Sequence, residues 1–552
     1  QAPGSRGMMR RRPAPGSHLR ACAGRFFIGV VLAAAAAEGR LVTLTVLNTT
    51  DLHGSIRRTP GVYADHNEGA LLQCATLIRG IRKEQPNTLL LDGGDAFQGT
   101  AESYLSRGGV MARAMNALGY DAYAIGNHDF DWGVTTLGKL LEQMEVPVLA
   151  ANLLAGPAAP AAFRRVQPYI LREMDGLRIA VVGLTTPNIP NWCREVTARD
   201  LRLVDSRRAL ERILPEVRRH QPHILLLLVH QGLLTQDDAA NEIRGICRRF
   251  GEFDLVLGGH LHWLLAGVRI GKTDYVQAGS GARGVMRIDL VYDTVAQAVV
   301  DKKFEWLPVT ARRKADPVLW KLVEADLARA DAWLETVVGT TVEELSCSPA
   351  PPGLCPVQQL LCAAIAEKTG AEVVLHGVLS DKSISAGEIR VADIWQIVPY
   401  ENTAGCLWLT IGEIQAIMEE AADFLGTDRY FGAWGLRYEI HPGAPPGRRI
   451  RNLLWADGRA INGRRRLKVA LNSYHLAGGG GRFPAIVRAA GTPNTRLETG
   501  PELIRDMVMD YIRVRSPLSI PPGTNAVVVT REPVRWQRKK TPAAAGPAEG
   551  SP

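Results

Sequence analysis

Short apolar runs that end in glycine or polar residues recur through the first half of this chain. LVTLTVL (Leu41–Leu47), TLLL (Thr88–Leu91), YAI (Tyr123–Ile125), ILLLLV (Ile224–Val229) and LVL (Leu255–Leu257) each read as a buried strand that runs into a loop. After about Val309 the pattern changes. ARRKADPVLWKLVEADLARADAWLETVVGTTVEEL carries apolar residues at helical spacing (Leu319, Leu322, Val323, Leu327) and few breakers, which predicts a helix connecting two domains. VQQLLCAAIAEKTGAEVVLHG then reads helix followed by strand. From about Val534 the chain is rich in Lys, Pro, Ala and Gly, the composition of a disordered tail (534–552).

Composition sharpens this picture. At 552 residues the chain exceeds what one hydrophobic core normally supports, so two folded domains are expected. The net charge of +9 raises the question of nucleic acid. Lys and Arg are scattered, however, with Arg10–Arg12 in a targeting segment and Arg464–Arg466 in a short cluster, so no nucleic-acid polymer is expected as a partner. Arg10, Arg11, Arg12, Arg20 and Arg25 precede the apolar run FFIGVVLAAAAA, and Ala35 to Ala37 offer a cleavage site before Glu38. That run is too short to span a bilayer comfortably, so residues 1–37 read as a cleaved signal peptide rather than a membrane anchor. A periplasmic or secreted protein is expected. In such an oxidising compartment Cys347 and Cys355, flanking SPAPPGL, are the pair expected to join.

Candidate chemistry follows the strands. Asp51 and His53 stand in TTDLHG, Asp95 in GGDAFQG, Asn127 in GNHDFDWG, His230 in LVHQG, and His260 and His262 in GGHLH. These are oxygen and imidazole ligands without a thiolate, the mixture that suits Zn, Mn, Fe or Ni in a catalytic centre rather than a Cys-rich structural zinc. Placed at the carboxyl ends of successive strands, they converge on one sheet edge, where open α/β sheets hold their sites.

In this order the motifs resemble the calcineurin-like metallophosphoesterases, and their neighbours are most similar to the 5'-nucleotidase/UDP-sugar hydrolase family. The resemblance implies an α/β protein with a four-layer α/β/β/α metallophosphoesterase sandwich (38–312). A linker helix (313–345) then leads to a C-terminal α/β substrate-binding domain (346–533). It also implies two divalent metal ions, Zn, Mn or similar. Asp51, His53 and His262 would hold one, Asn127, His230 and His260 the other, and Asp95 would bridge them. His128 matches the family's catalytic histidine, with Asp131 holding its other ring nitrogen. The implied partner is a small phosphate ester, first of all a 5'-nucleotide. UDP-sugars, cyclic nucleotides, another organic phosphate, or ligand binding without turnover are the alternatives.

Substrate recognition departs from the family pattern. Where relatives carry an Asn-Gly-Gly-Gly-Ile-Arg type segment, this chain reads LHGVLSDKSISAGEIR, with Asp381 at the position of the phosphate-gripping Arg. A carboxylate cannot replace a guanidinium fork, and Lys382 beside it is either a substitute point charge or a solvated turn lysine. RYFGAWGLRYEI and NSYHLAGGGGRFP match the family's aromatic base clamp, placing Tyr430 or Phe431 opposite Phe483; ordinary domain packing is the competing reading. Gly481 stands where relatives have a ribose-binding Asp.

Overall fold

The computed structural model describes residues 39–59, 62, 69–347, 355–427, 429–479, 482–492 and 495–530. The expected signal peptide and tail, and Gly481, lie outside the described residues.

The first apolar run becomes the strand Leu41–Thr49. It pairs in parallel with Thr88–Asp92, which pairs in parallel with Ala122–Ala124, and that with Val148–Leu149. Gly284–Asp293 and Ala298–Pro308 close this six-stranded sheet on the other side in antiparallel register. In a second six-stranded sheet, Ile224–Val229 lies between Leu177–Leu184 and Leu255–Gly258, all parallel. Thr273–Ala278 is parallel beyond them, and the edge strands Tyr169–Met174 and Leu264–Ile270 are antiparallel.

Strand side chains alternate between faces, and in these runs both faces are apolar. Leu89 and Leu91 point between the sheets, against Leu226, Leu228 and Leu257. Leu90 and Tyr123 point outward to a core shared with the helices Leu71–Glu84, Gly109–Leu118 and Val134–Gln143. Leu225 and Leu227 point outward on the other side, onto the helices Ser206–Arg219 and Ile243–Arg249. The result is the expected helix, sheet, sheet, helix stack. All the ligand-bearing loops leave the carboxyl ends of these parallel strands.

The connecting helix runs Pro317–Leu334, shorter than the expected 313–345. Asp316 caps it, its Oδ1 accepting the Leu319 N–H at 2.8 Å, and Pro317 occupies the first turn where a missing N–H costs nothing. Beyond Glu335 the chain enters the strand Val337–Thr341, paired with Gly387–Arg390. Leu319, Val323 and Leu327 join the core of the first half, while Ala330 and Leu334 join that of the second. Leu322, expected on the apolar stripe, is 41% exposed.

The second half has a five-stranded sheet ordered Gly432–Trp434, Val373–His376, Leu467–Asn472, Thr403–Leu409 and Leu497–Leu503. Pro356–Thr369, Val391–Ile397 and Ile504–Arg515 share one core, and Ile411–Ala421 and Pro484–Gly491 the other. The expected Cys347–Cys355 bond is not formed. Both are buried thiols, and Cys347 Sγ donates to the Ser380 carbonyl at 3.1 Å. Among the described residues no helix is long and apolar enough to cross a membrane.

Candidate metal centre

Ligand atoms of Asp51, His53 and His262 lie within 4.8 Å of one another, and so do those of Asp95, His230 and His260. In the first group His53 Nε2 is 3.0 Å from His262 Nε2, which is 3.4 Å from Asp51 Oδ1. In the second, His230 Nε2 is 3.0 Å from Asp95 Oδ2. The groups are tied together, because the Asp51 carboxylate accepts the backbone N–H of His260 at 3.1 Å.

Five of the seven expected ligands, Asp51, His53, Asp95, His260 and His262, have φ between 47° and 74°. That left-handed region costs an L-residue roughly 1–2 kcal/mol, and clusters of such residues are found where a loop must aim side chains. Glycines supply the remaining clearance. A Cβ on Gly126 would sit 2.0 Å from Asp95 Oδ1, and one on Gly94 (φ +101°) would sit 2.7 Å from His230 Nδ1.

The donor set fits divalent cations. Asn127 Oδ1 is buried and accepts no hydrogen bond, and Asp95 Oδ2 and His230 Nε2 face each other without hydrogen-bond geometry. Buried polar atoms left in that state cost about 1–3 kcal/mol each, a cost that a divalent cation held by these residues would relieve. The His230 tautomer is set for ligation, since Nδ1 lies 2.7 Å from the Gly93 carbonyl and, by donating to it, leaves the Nε2 lone pair facing the cluster. Thr50 Oγ1 donates to Asp51 Oδ2 at 2.7 Å.

The cluster favours positive charge at His230 and disfavours it at His260. Burial opposes ionisation of His230, but the Asp95 carboxylate outweighs it and raises the pKa to about 9. Burial raises Asp51 to about 7 against the pull of His230. Asp95 is held below its ordinary range because His230 and His128 outweigh the cost of its burial. His260 is pushed down to about 3 by burial and by His230, which leaves a neutral imidazole suited to ligation.

His128 lies at the mouth, with 41% of its side chain exposed. Its Nδ1 is 2.8 Å from Asp131 Oδ2, and its backbone N–H donates to Asp95 Oδ1 at 2.8 Å. Burial works against its charged form, but Asp131 and Asp95 together raise the pKa to about 10. Sequence reasoning passed over the other carboxylate of the same motif. Asp129 Oδ2 accepts the Gly126 N–H at 2.8 Å and the Tyr123 hydroxyl, which fixes the loop that presents Asn127 and His128. The signal was present in the first acid of HDFD.

Two domain families match the chain in order, calcineurin-like phosphoesterase over residues 44–264 and 5'-nucleotidase, C-terminal domain, over residues 337–488. The chain belongs to the 5'-nucleotidase family of calcineurin-like phosphoesterases. The 5'-nucleotidase of Rattus norvegicus is 34% identical over 229 residues, 40% of this chain. That stretch spans 38% of the rat protein's length. Protein UshA of Yersinia enterocolitica is 25% identical over 524 residues, 86% of this chain and 92% of that one. A putative 5'-nucleotidase from Staphylococcus aureus shares the fold with a TM-score of 0.75 at 21% identity, covering 88% of this chain and 100% of that one.

The base clamp expected from the family is closed in this member. Phe431 and Phe483 are each 1% exposed, with ring centroids 4.8 Å apart and planes tilted by 58°. A base between two rings needs about 7 Å, twice the optimal carbon–carbon separation. The two phenylalanines pack instead with Phe424 and His475 in a core that also takes in Tyr430, itself 7% exposed. Lys382 Nζ lies 3.8 Å from Asp381 Oδ1, with about half of each side chain exposed, so the carboxylate offsets the cation's charge.

Proposed function

We propose that this chain is an exported, dinuclear metal-dependent phosphoesterase that hydrolyses phosphomonoesters, with 5'-nucleotides as the leading substrate class. The observation that carries the reading is the pairing of two adjacent three-residue ligand groups with a half-exposed His128 held by Asp131. Family membership supports the same chemistry. Asp51, His53 and His262 would hold one ion, and Asn127, His230 and His260 the other, with Asp95 between them. When bound, two divalent ions neutralise the charge on the phosphoryl oxygens and supply a nucleophile at neutral pH.

The chain's own residues do the rest. Asp95 faces His230 in one ligand group, accepts the His53 N–H of the other on its backbone carbonyl, and through the His128 N–H holds the start of the catalytic loop. His128 is partly exposed beside the ligand groups, and Asp131 favours its protonated form, so it can donate a proton to the departing oxygen as the ester bond breaks. Asp131 engages Nδ1 of the ring, which leaves Nε2 for the proton transfer.

A second reading, hydrolysis of another organic phosphate, is favoured by the closed Phe431–Phe483 pair and by the Asp381–Lys382 turn. Release of phosphate from nucleotides, UDP-sugars, sugar phosphates and bis-p-nitrophenyl phosphate, each with Mn, Zn, Co or Mg, separates the two. No release from any of them with any metal overturns both.

A further inference from the structure

The two halves of the chain touch beside the His128 loop through a hydrogen bond between residues 269 positions apart. Trp132 Nε1 donates to Glu401 Oε2 at 3.2 Å. Trp132 directly follows Asp131, whose Oδ2 lies 2.8 Å from His128 Nδ1. Glu401 belongs to the second half, between the helix Val391–Ile397 and the strand Thr403–Leu409.

Glu401 has little freedom. Its Oε1 accepts from Arg505 Nη1 at 2.9 Å, and neither side chain is exposed. Arg505 is itself fixed by an Nε bond to the Val398 carbonyl at 3.0 Å and by the Trp395 ring, whose centroid is 3.3 Å from its guanidinium carbon. Trp132 is held on its face as well, by the Arg107 guanidinium 5.9 Å from its ring centroid. Arg107 in turn sits 4.6 Å from the ring of Tyr104, whose hydroxyl donates to Asp506 Oδ1 at 2.9 Å.

A fully buried ion pair is poor evidence of a stabilising device, because two packed apolar side chains often serve as well. This pair does something an apolar pair cannot. It holds a charged acceptor at the boundary between the halves, with one oxygen neutralised by Arg505 and the other directed at the residue next to Asp131. We infer that Glu401 is a positioning residue for the reaction. Anchored by Arg505, it holds Trp132 and so sets the Asp131–His128 pair from the opposite half of the molecule. The metal ligands do not depend on this contact; the orientation of His128 does.

The inference rests on the proposed role of His128 as proton donor, and leaving-group dependence tests it. Trp132→Phe removes the donor N–H, keeps the ring under Arg107 and leaves the Glu401–Arg505 pair intact. In the full-length, metal-loaded protein, kcat for a nucleotide, whose alkoxide leaving group needs a proton, is expected to fall roughly tenfold with KM unchanged. Turnover of p-nitrophenyl phosphate, whose leaving group departs without a proton, is expected to fall by no more than about threefold. Metal content by elemental analysis stays at the parent value. A Glu401→Leu/Arg505→Met double variant, which removes acceptor and counter-charge together, is expected to show the same leaving-group-dependent loss. Combined with Trp132→Phe it should add nothing further. Equal losses on both substrates, an unchanged nucleotide kcat in Trp132→Phe, or additive losses in the combined variant overturn the assignment. A parent protein inactive on both substrates instead overturns the phosphoesterase reading itself.

Discussion

Asp95 Oδ1 accepts the backbone N–H of His128 at 2.8 Å, while Asp95 Oδ2 lies 3.0 Å from His230 Nε2. One carboxylate therefore touches both the ligand cluster and the loop that carries the proton donor. Its neutral amide counterpart would keep the shape and lose the charge that the surrounding imidazoles and cations balance.

Asp95→Asn is expected to lower metal affinity by at least about 100-fold and to abolish phosphate release at ordinary metal concentrations. Elemental analysis after dialysis, together with a phosphate assay, measures both quantities. Full metal content with full activity would remove Asp95 from the centre.

His128→Ala separates proton donation from metal holding. No ligand group includes His128, so both ions should stay bound while kcat on nucleotides falls by about 10²–10⁴-fold. Loss of metal on this substitution would make His128 a ligand instead.

Phe483 tests the closed clamp. Because its side chain is 1% exposed against Phe431, Phe424 and His475, Phe483→Ala should cost about 3–5 kcal/mol of stability. Below the unfolding transition, activity on AMP, dAMP and p-nitrophenyl phosphate should change in parallel. A loss confined to the two nucleotides would show that the rings part and stack on a base.

His376 gives the second half a pH dependence. Burial lowers its pKa from 6.5 to about 4, so the folded state resists a proton that the unfolded chain accepts. Its neutral form is compatible with folding above pH 6.5, and stability is lost as pH falls from there toward about 4. The gap corresponds to something on the order of 3 kcal/mol. Urea unfolding at about pH 7.5 and about pH 5, compared between the parent and His376→Asn, should show a flatter pH response in the variant. Identical slopes would exclude His376 as the source.

Much of the site was legible in the sequence because each ligand follows an apolar run whose partners are also apolar runs. Strand and loop could be assigned locally, and parallel pairing then forced the loops onto one edge. Asp51 after Leu41–Thr49 and His230 after Ile224–Val229 are of this kind. Phe431 and Phe483 were ambiguous for a physical reason, since an aromatic beside a glycine-rich segment has the same pattern whether it packs or stacks. The Trp132–Glu401 bond was out of reach because it depends on how the two halves meet, which no local pattern encodes. The Cys347–Cys355 expectation failed because short spacing permits a bridge without bringing the sulfurs together.

The helix Pro317–Leu334 contributes Leu319, Val323 and Leu327 to one core and Ala330 and Leu334 to the next, with no break in its backbone ladder. Melting either half strips apolar cover from a rod that the other half still needs. Heat should therefore take the protein apart in one calorimetric peak. A chain severed within this rod should yield fragments that clump rather than two independent soluble proteins.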